Sequence, residues 1–136
     1  MKIKTSELSG VALDWAVAQC EGGTNLHHDT VATWWFTLHG EDRCLSPGWS
    51  EAQRFCPSTD WPQGGPIIER ELVQLQPTFL CAGPARNTGV WAWKAALVDE
   101  DCKAFFVDGP TPLIAAMRCF VSSKLGDEVE VPEELI

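Results

Sequence analysis

Val90-Trp91-Ala92-Trp93-Lys94-Ala95-Ala96-Leu97-Val98, followed by Asp99-Glu100-Asp101, Ala104-Phe105-Phe106-Val107 and then Thr111-Pro112-Leu113-Ile114-Ala115-Ala116-Met117-Arg118-Cys119-Phe120-Val121, is the stretch that decides the fold. The first and third pieces are runs of β-branched, aromatic and small apolar residues, and the acidic triplet between them suits a hairpin or meander connection. Trp91 and Trp93, two residues apart, share one face of their strand. In the last piece Thr111 caps a helix that begins at Pro112. Its Leu113, Ile114, Met117, Phe120, Val121 and Leu125 form one apolar stripe, and Gly126 ends it. Strands that follow one another with no crossover helix pair antiparallel, so the expected class is α+β.

Working outward, Thr5 to Cys20 reads as an amphipathic helix capped by Thr5, Ser6 or Ser9. Leu8, Val11, Ala12, Trp15 and Ala18 recur at helical spacing, Trp15 is a core anchor, and Gly22 and Gly23 stop the helix. Asn25 to Asp29 reads as a turn or loop. Val31 to Leu38 reads as a strand whose adjacent Trp34 and Trp35 point to opposite faces, one into the core and the other toward solvent, a second layer or a ligand. From Leu45 to Leu72 punctuation dominates: a turn at Pro47-Gly48, a short helical turn over Thr59, Asp60 and Trp61 capped by Ser58, and a second from Pro66 through Glu71. Val73 to Leu75 enters a strand. The acidic tail Asp127 to Ile136 is expected to be mostly solvated. The resulting expectation is one domain spanning 1–136, with a small antiparallel sheet packed against an N-terminal and a C-terminal helix.

The 136 residues are 45% hydrophobic and 21% charged, a composition that can build a core and is far from that of disordered chains. The formal net charge of -9 argues against duplex nucleic acid, whose binders draw affinity from basic side chains. A few arginines in a pocket can still receive one phosphorylated ligand; Arg43, Arg54, Arg70, Arg86 and Arg118 are the candidates. The N-terminus has neither signal-peptide nor membrane-anchor character, and no apolar run approaches the roughly 20 residues of a membrane span. Six scattered cysteines without an export signal are expected to be reduced thiols. No Cys-x-x-Cys pair or paired-histidine spacing points to a metal.

No fingerprint of a hydrolase elbow, phosphate loop, dinucleotide fold or zinc protease is present, so no catalytic residue and no cofactor is assigned. Asp60, Glu69 and Glu71 read as solvated carboxylates. The unusual segment is Cys56-Pro57-Ser58-Thr59-Asp60-Trp61-Pro62-Gln63-Gly64-Gly65-Pro66-Ile67-Ile68-Glu69-Arg70. Its glycines let a ligand approach the backbone, helix starts offer amides to anions, and tryptophan offers a flat face to a base. Ser58, Thr59, Asp60, Trp61, Gln63, Gly64, Gly65, Arg70 and Arg118 are therefore the candidate ligand-binding residues. The same segment equally suits a capped loop that Trp61 packs for stability alone.

Three blocks in order, Lys2-Ile3-Lys4-Thr5-Ser6-Glu7-Leu8 with Ala12 to Ala18, Ser58 to Glu71, and Gly109 to Arg118 with Leu125 to Val129, resemble the phage NinX-like family. The stretches Gly23 to Arg54 and Gln76 to Lys103 carry no motif that can be placed. The resemblance implies a phage or prophage product acting in the host cell cytoplasm, and it brings no settled activity or catalytic residues. The expected function is non-enzymatic binding of a small ligand, in the form of a sponge that sequesters a nucleotide immune signal to counter host defence. The alternative is an acidic protein-protein interaction module that inhibits a host enzyme. Seven tryptophans in 15.0 kDa also lead us to expect a homo-oligomer.

Overall fold

The computed structural model describes residues 1–29, 33–45, 51–81 and 89–136. Pro47-Gly48, the Val31 end of the predicted strand, Trp49 and Arg86 lie outside the described residues. The elements in chain order are β1 (Lys2–Lys4), a 3-10 turn (Thr5–Glu7), α1 (Gly10–Cys20), β2 (Thr24–His28), β3 (Trp34–Leu38), β4 (Glu41–Cys44), a 3-10 turn (Glu51–Gln53), α2 (Trp61–Glu71), β5 (Gln74–Cys81), β6 (Gly89–Val98), β7 (Ala104–Gly109), α3 (Pro112–Leu125), β8 (Glu128–Glu130) and a final 3-10 turn (Glu133–Leu135). The class is α+β, and the strands form antiparallel sheets of order β1-β8, β2-β3-β4 and β5-β6-β7.

The decisive stretch folds as its chemistry dictates. Asp99 Oδ1 accepts hydrogen bonds from the Asp101 and Lys103 amides at 2.9 and 2.8 Å, closing the connection between β6 and β7. Thr111 Oγ1 accepts from the Ile114 amide at 3.2 Å, and Pro112, which lacks an amide, opens α3. α3 packs across β6 and β7 and carries α1 and α2 on its other sides. That central place explains why Ala115, Ala116, Met117, Cys119, Phe120, Val121 and Ser122 are all buried, more than one stripe would need. At Gly109 the end of β7 passes so close to α3 that a Cβ would lie 2.6 Å from the Ala115 nitrogen.

Several expectations are corrected. The N-terminal helix does not begin at Thr5: Lys2–Lys4 pairs with Glu128–Glu130, and Thr5 is buried, its hydroxyl donating to the Gly126 carbonyl at 2.6 Å. The helix starts at Gly10 behind Ser9, and its residues Ala12 through Ala18 are all buried, so it is a core helix and not an amphipathic one. Asn25 to Asp29 is largely strand. Asn25 adopts a positive φ of 62°, and the register shifts between Thr24 and His27, which lets a polar segment pair with β3 around a bulge. Trp34 and Trp35 are both half-buried. The Trp35 indole donates to Asp29 Oδ2 at 2.9 Å, and Trp34 meets the His28 ring edge-on. The tail is not simply solvated, because Val129, Val131 and Leu135 are buried against the N-terminal strand and core.

The two short turns expected between Ser58 and Glu71 are one helix, α2. Its propensity is poor: Gly64 and Gly65 are flexible, and Pro66 inside the helix removes an amide. Tertiary contacts compensate. Ile67 is buried, and Gly64 lies where a Cβ would sit 2.4 Å from the Pro57 oxygen and 2.6 Å from Leu113 Cδ2. α2 ends at Leu72, which takes the left-handed conformation usual for glycine at that position.

Candidate functional site

The predicted site residues fall into four places. Ser58, Thr59 and Trp61 come together with the start of α3, at Thr111, Pro112 and Leu113, around a hollow of about 240 Å³. Trp61, the first residue of α2, is 52% exposed. Asp60 occupies the N-cap position of α2 without a side-chain cap bond, and its carbonyl accepts from the Gln63 and Gly64 amides. Gln63 and Gly64 turn away from the hollow: Gln63 accepts from the Cys56 amide at 3.0 Å and donates to the Arg54 carbonyl at 2.9 Å, while Gly64 allows close packing. Gly65 borders open space.

Arg70 is nine residues from Trp61 along α2, about 13 Å at a helical rise of 1.5 Å per residue. It pairs with Glu21 and with Glu71, the latter at 3.2 Å, and lies over the Phe120 ring at 5.7 Å. The Glu21 hydrogen bond raises its pKa above the ordinary arginine value. Arg70 therefore does not join the Trp61 hollow.

Arg118 lies on α3 in a cleft of about 690 Å³ at the edge strand β7. Its Nε donates to the Leu8 carbonyl at 2.7 Å and its Nη1 to the Asp108 carbonyl at 3.0 Å, so the guanidinium is held by two backbone acceptors. Nη2 makes no hydrogen bond among the described residues. Burial lowers its pKa, with nearby Glu7 opposing, and the group stays charged. The cleft's apolar wall includes Trp91, 69% exposed, Phe106, 67% exposed, and Val90. β7 ends at Gly109 opposite Trp93, so Trp91 lies beyond the reach of that strand and is braced by Phe79, ring centroids 5.2 Å apart. Ser6 and Asp108 also line the cleft.

Beneath the Ser58 loop sits a buried charge that the sequence reading missed. Asp14 on α1 is 4% exposed, and its Oδ1 accepts from the Ser58 amide at 3.0 Å. Desolvation pushes its carboxyl up from 3.8 to about 6, against the lowering effects of Ser58 and of the Arg54 charge. The Ser58 hydroxyl is near enough to favour the charged form, yet it is buried without a well-formed hydrogen bond, as is Arg54 Nε. The sequence held a signal: Asp14 is the one charged residue inside Val11-Ala12-Leu13-Asp14-Trp15-Ala16-Val17. Trp91 and Phe106 were also missed as site residues. The adjacent Phe105 and Phe106 on a strand require one ring to face away from the core.

Cys20, Cys44, Cys56, Cys102 and Cys119 are free thiols. No group of three or more His, Cys, Asp or Glu side chains is placed to hold a metal among the described residues. No helix among them is long and apolar enough to cross a membrane.

Fold and site together define a small α+β protein with a central helix flanked by an aromatic cleft and a second hollow. Residues 4–124 match the family described as Bacteriophage P22, NinX, and the chain belongs to that family. It is a phage accessory protein. The match runs through Gly23 to Arg54 and Gln76 to Lys103, where no motif could be placed, and stops before the quoted Leu125 to Val129. A search of curated proteins finds no match.

Proposed function

We propose that this chain is a non-enzymatic binder of a small ligand of nucleotide class, held in the cleft beside β7. The observation that carries the reading is the combination of the exposed Trp91 and Phe106 with the backbone-anchored Arg118 in a cleft of about 690 Å³. Ligand pockets typically have volumes of about 300–1,000 Å³, apolar walls and a few placed polar groups. An indole stacks on a base, a guanidinium pairs with a phosphate, and a carboxylate such as Asp108 receives base N–H groups. In a phage accessory protein such binding acts as a sponge that withdraws a nucleotide immune signal from the host cytoplasm. Thermal-shift screening against cyclic di- and trinucleotides and adenosine-diphosphate-ribose derivatives tests it. A ligand at 100 times its Kd adds about 2.7 kcal/mol of stability, a rise of several degrees in Tm. No stabilisation by any of them overturns the reading, and turnover of a bound ligand overturns its non-enzymatic part.

A second reading, an acidic module that docks on a basic surface of a host enzyme, is favoured by a different hollow. Four carboxylates, Glu71, Asp99, Glu100 and Asp101, outnumber the cations Arg70 and Lys124 around Leu72 and Val98 there, and the two apolar side chains are 81% and 58% exposed. This reading expects salt-sensitive capture of a host protein, abolished by Leu72→Asp; capture that ignores both changes rejects it. Homo-oligomerisation remains a proposal supported by the exposed Trp61, Trp91 and Phe106. A strictly monomeric mass in light scattering contradicts it.

A further inference from the structure

The cleft and the Trp61 hollow are not independent. Gly109 and Pro110 line the first, Thr111 and Pro112 line the second, and these four residues are consecutive. The turn that links β7 to α3 is thus the shared wall of both. Each side of it carries an exposed indole, Trp91 at 69% and Trp61 at 52%. The hollow at Trp61 is about 240 Å³, below the usual range for a ligand pocket standing alone. As an extension of the neighbouring cleft it is the right size for one further ring.

We infer that the two hollows are subsites of a single site whose ligand carries two planar ring systems joined by a phosphate-bearing linker, the chemistry of a dinucleotide. The inference rests on the nucleotide-binding reading above and names the ligand class within it. One base lies on Trp91, braced by Phe79. The linker crosses Gly109 to Pro112 from the side of the Arg118 guanidinium, which donates to the neighbouring Asp108 carbonyl and whose charge suits phosphate. The second base lies against Trp61. There Thr59 and the start of α3 complete the wall of the hollow. Pro110 and Pro112 restrict the backbone of the turn between the two hollows.

The test compares AMP and GMP with cyclic di-AMP and cyclic di-GMP by titration calorimetry on wild type, Trp61→Ala and Trp91→Ala, with melting temperature followed on each variant. Trp61→Phe serves as a second variant that keeps a ring. The expected result is one-to-one binding of a cyclic dinucleotide at least tenfold tighter than its mononucleotide. Loss of either indole should weaken the dinucleotide about tenfold or more, the scale of one base stacked on an aromatic ring. The mononucleotide should respond to Trp91→Ala alone, and Trp61→Phe should restore dinucleotide binding. A dinucleotide that binds no tighter than its mononucleotide, or ignores Trp61→Ala, overturns the two-subsite inference and leaves the binding reading standing. No binding by any of the four overturns both.

Discussion

Replacing Asp14 by Asn should stabilise the protein at neutral pH, although it removes a hydrogen-bonded carboxylate from the core. Asp14 is 4% exposed, and its pKa is raised from 3.8 to about 6 chiefly by desolvation. A folded-state pKa above the unfolded one means that the native protein holds a proton the unfolded chain has lost. The contribution to stability is therefore greatest below about pH 4 and falls as pH rises to about 6. Above that it stays at its low value. The rise from 3.8 to about 6, at about 1.4 kcal/mol per tenfold change in proton affinity, corresponds to about 3 kcal/mol. Asparagine keeps an oxygen that can accept from the Ser58 amide and carries no charge to desolvate. Urea unfolding of wild type and Asp14→Asn from pH 4 to 8 reads this directly. The variant should gain on wild type progressively up to about pH 6, by about 1–3 kcal/mol, and by no more beyond it. A variant less stable than wild type at pH 7.5, by an amount that does not change with pH, would show that the charged form is the one the fold prefers and refute the reasoning.

Three further outcomes follow from the loop and helix that Asp14 supports. Gly64→Ala places a methyl group 2.4 Å from the Pro57 oxygen, so unfolding midpoints should report a loss of about 1–3 kcal/mol; an unchanged midpoint means α2 does not pack there as described. Gln63→Ala removes the partners of the Cys56 amide and the Arg54 carbonyl and should cost about 1–3 kcal/mol, with no change expected if water takes both places fully. Trp61→Ala removes a side chain that is half in solvent and should change stability by about 1 kcal/mol or less, whereas a loss of 3 kcal/mol would mark Trp61 as a packing residue.

The fold was legible where local chemistry and tertiary packing agree. Thr111, Pro112 and Gly126 bound α3 in sequence and structure alike, and the acidic Asp99 turn separates β6 from β7 in both. It was illegible where long-range contacts override local propensity. Gly64, Gly65 and Pro66 read as breaks, yet Leu113, Pro57 and the Gln63 amide hold them in a helix. The pairing of Lys2–Lys4 with Glu128–Glu130 joins opposite ends of the chain, which no local pattern announces. The candidate site was legible in its ingredients and not in their arrangement. Ser58, Thr59 and Trp61 do meet in a hollow, but Arg70 lies at the far end of α2 and is engaged by Glu21. Arg118 stands instead with Trp91, whose exposure follows from where β7 stops, and with Phe106, which alternates with Phe105 along β7 and faces away from the core.

The binding claim is tested most directly by the indole N–H resonances of the tryptophans under nucleotide titration, with Trp91 assigned through Trp91→Phe. The cleft reading predicts a saturable shift of the Trp91 resonance on addition of a cyclic dinucleotide, an unmoved resonance for the 6% exposed Trp15, and loss of binding in Arg118→Ala. A Trp91 resonance that stays fixed while the ligand binds elsewhere, or with no binding at millimolar concentrations, contradicts it.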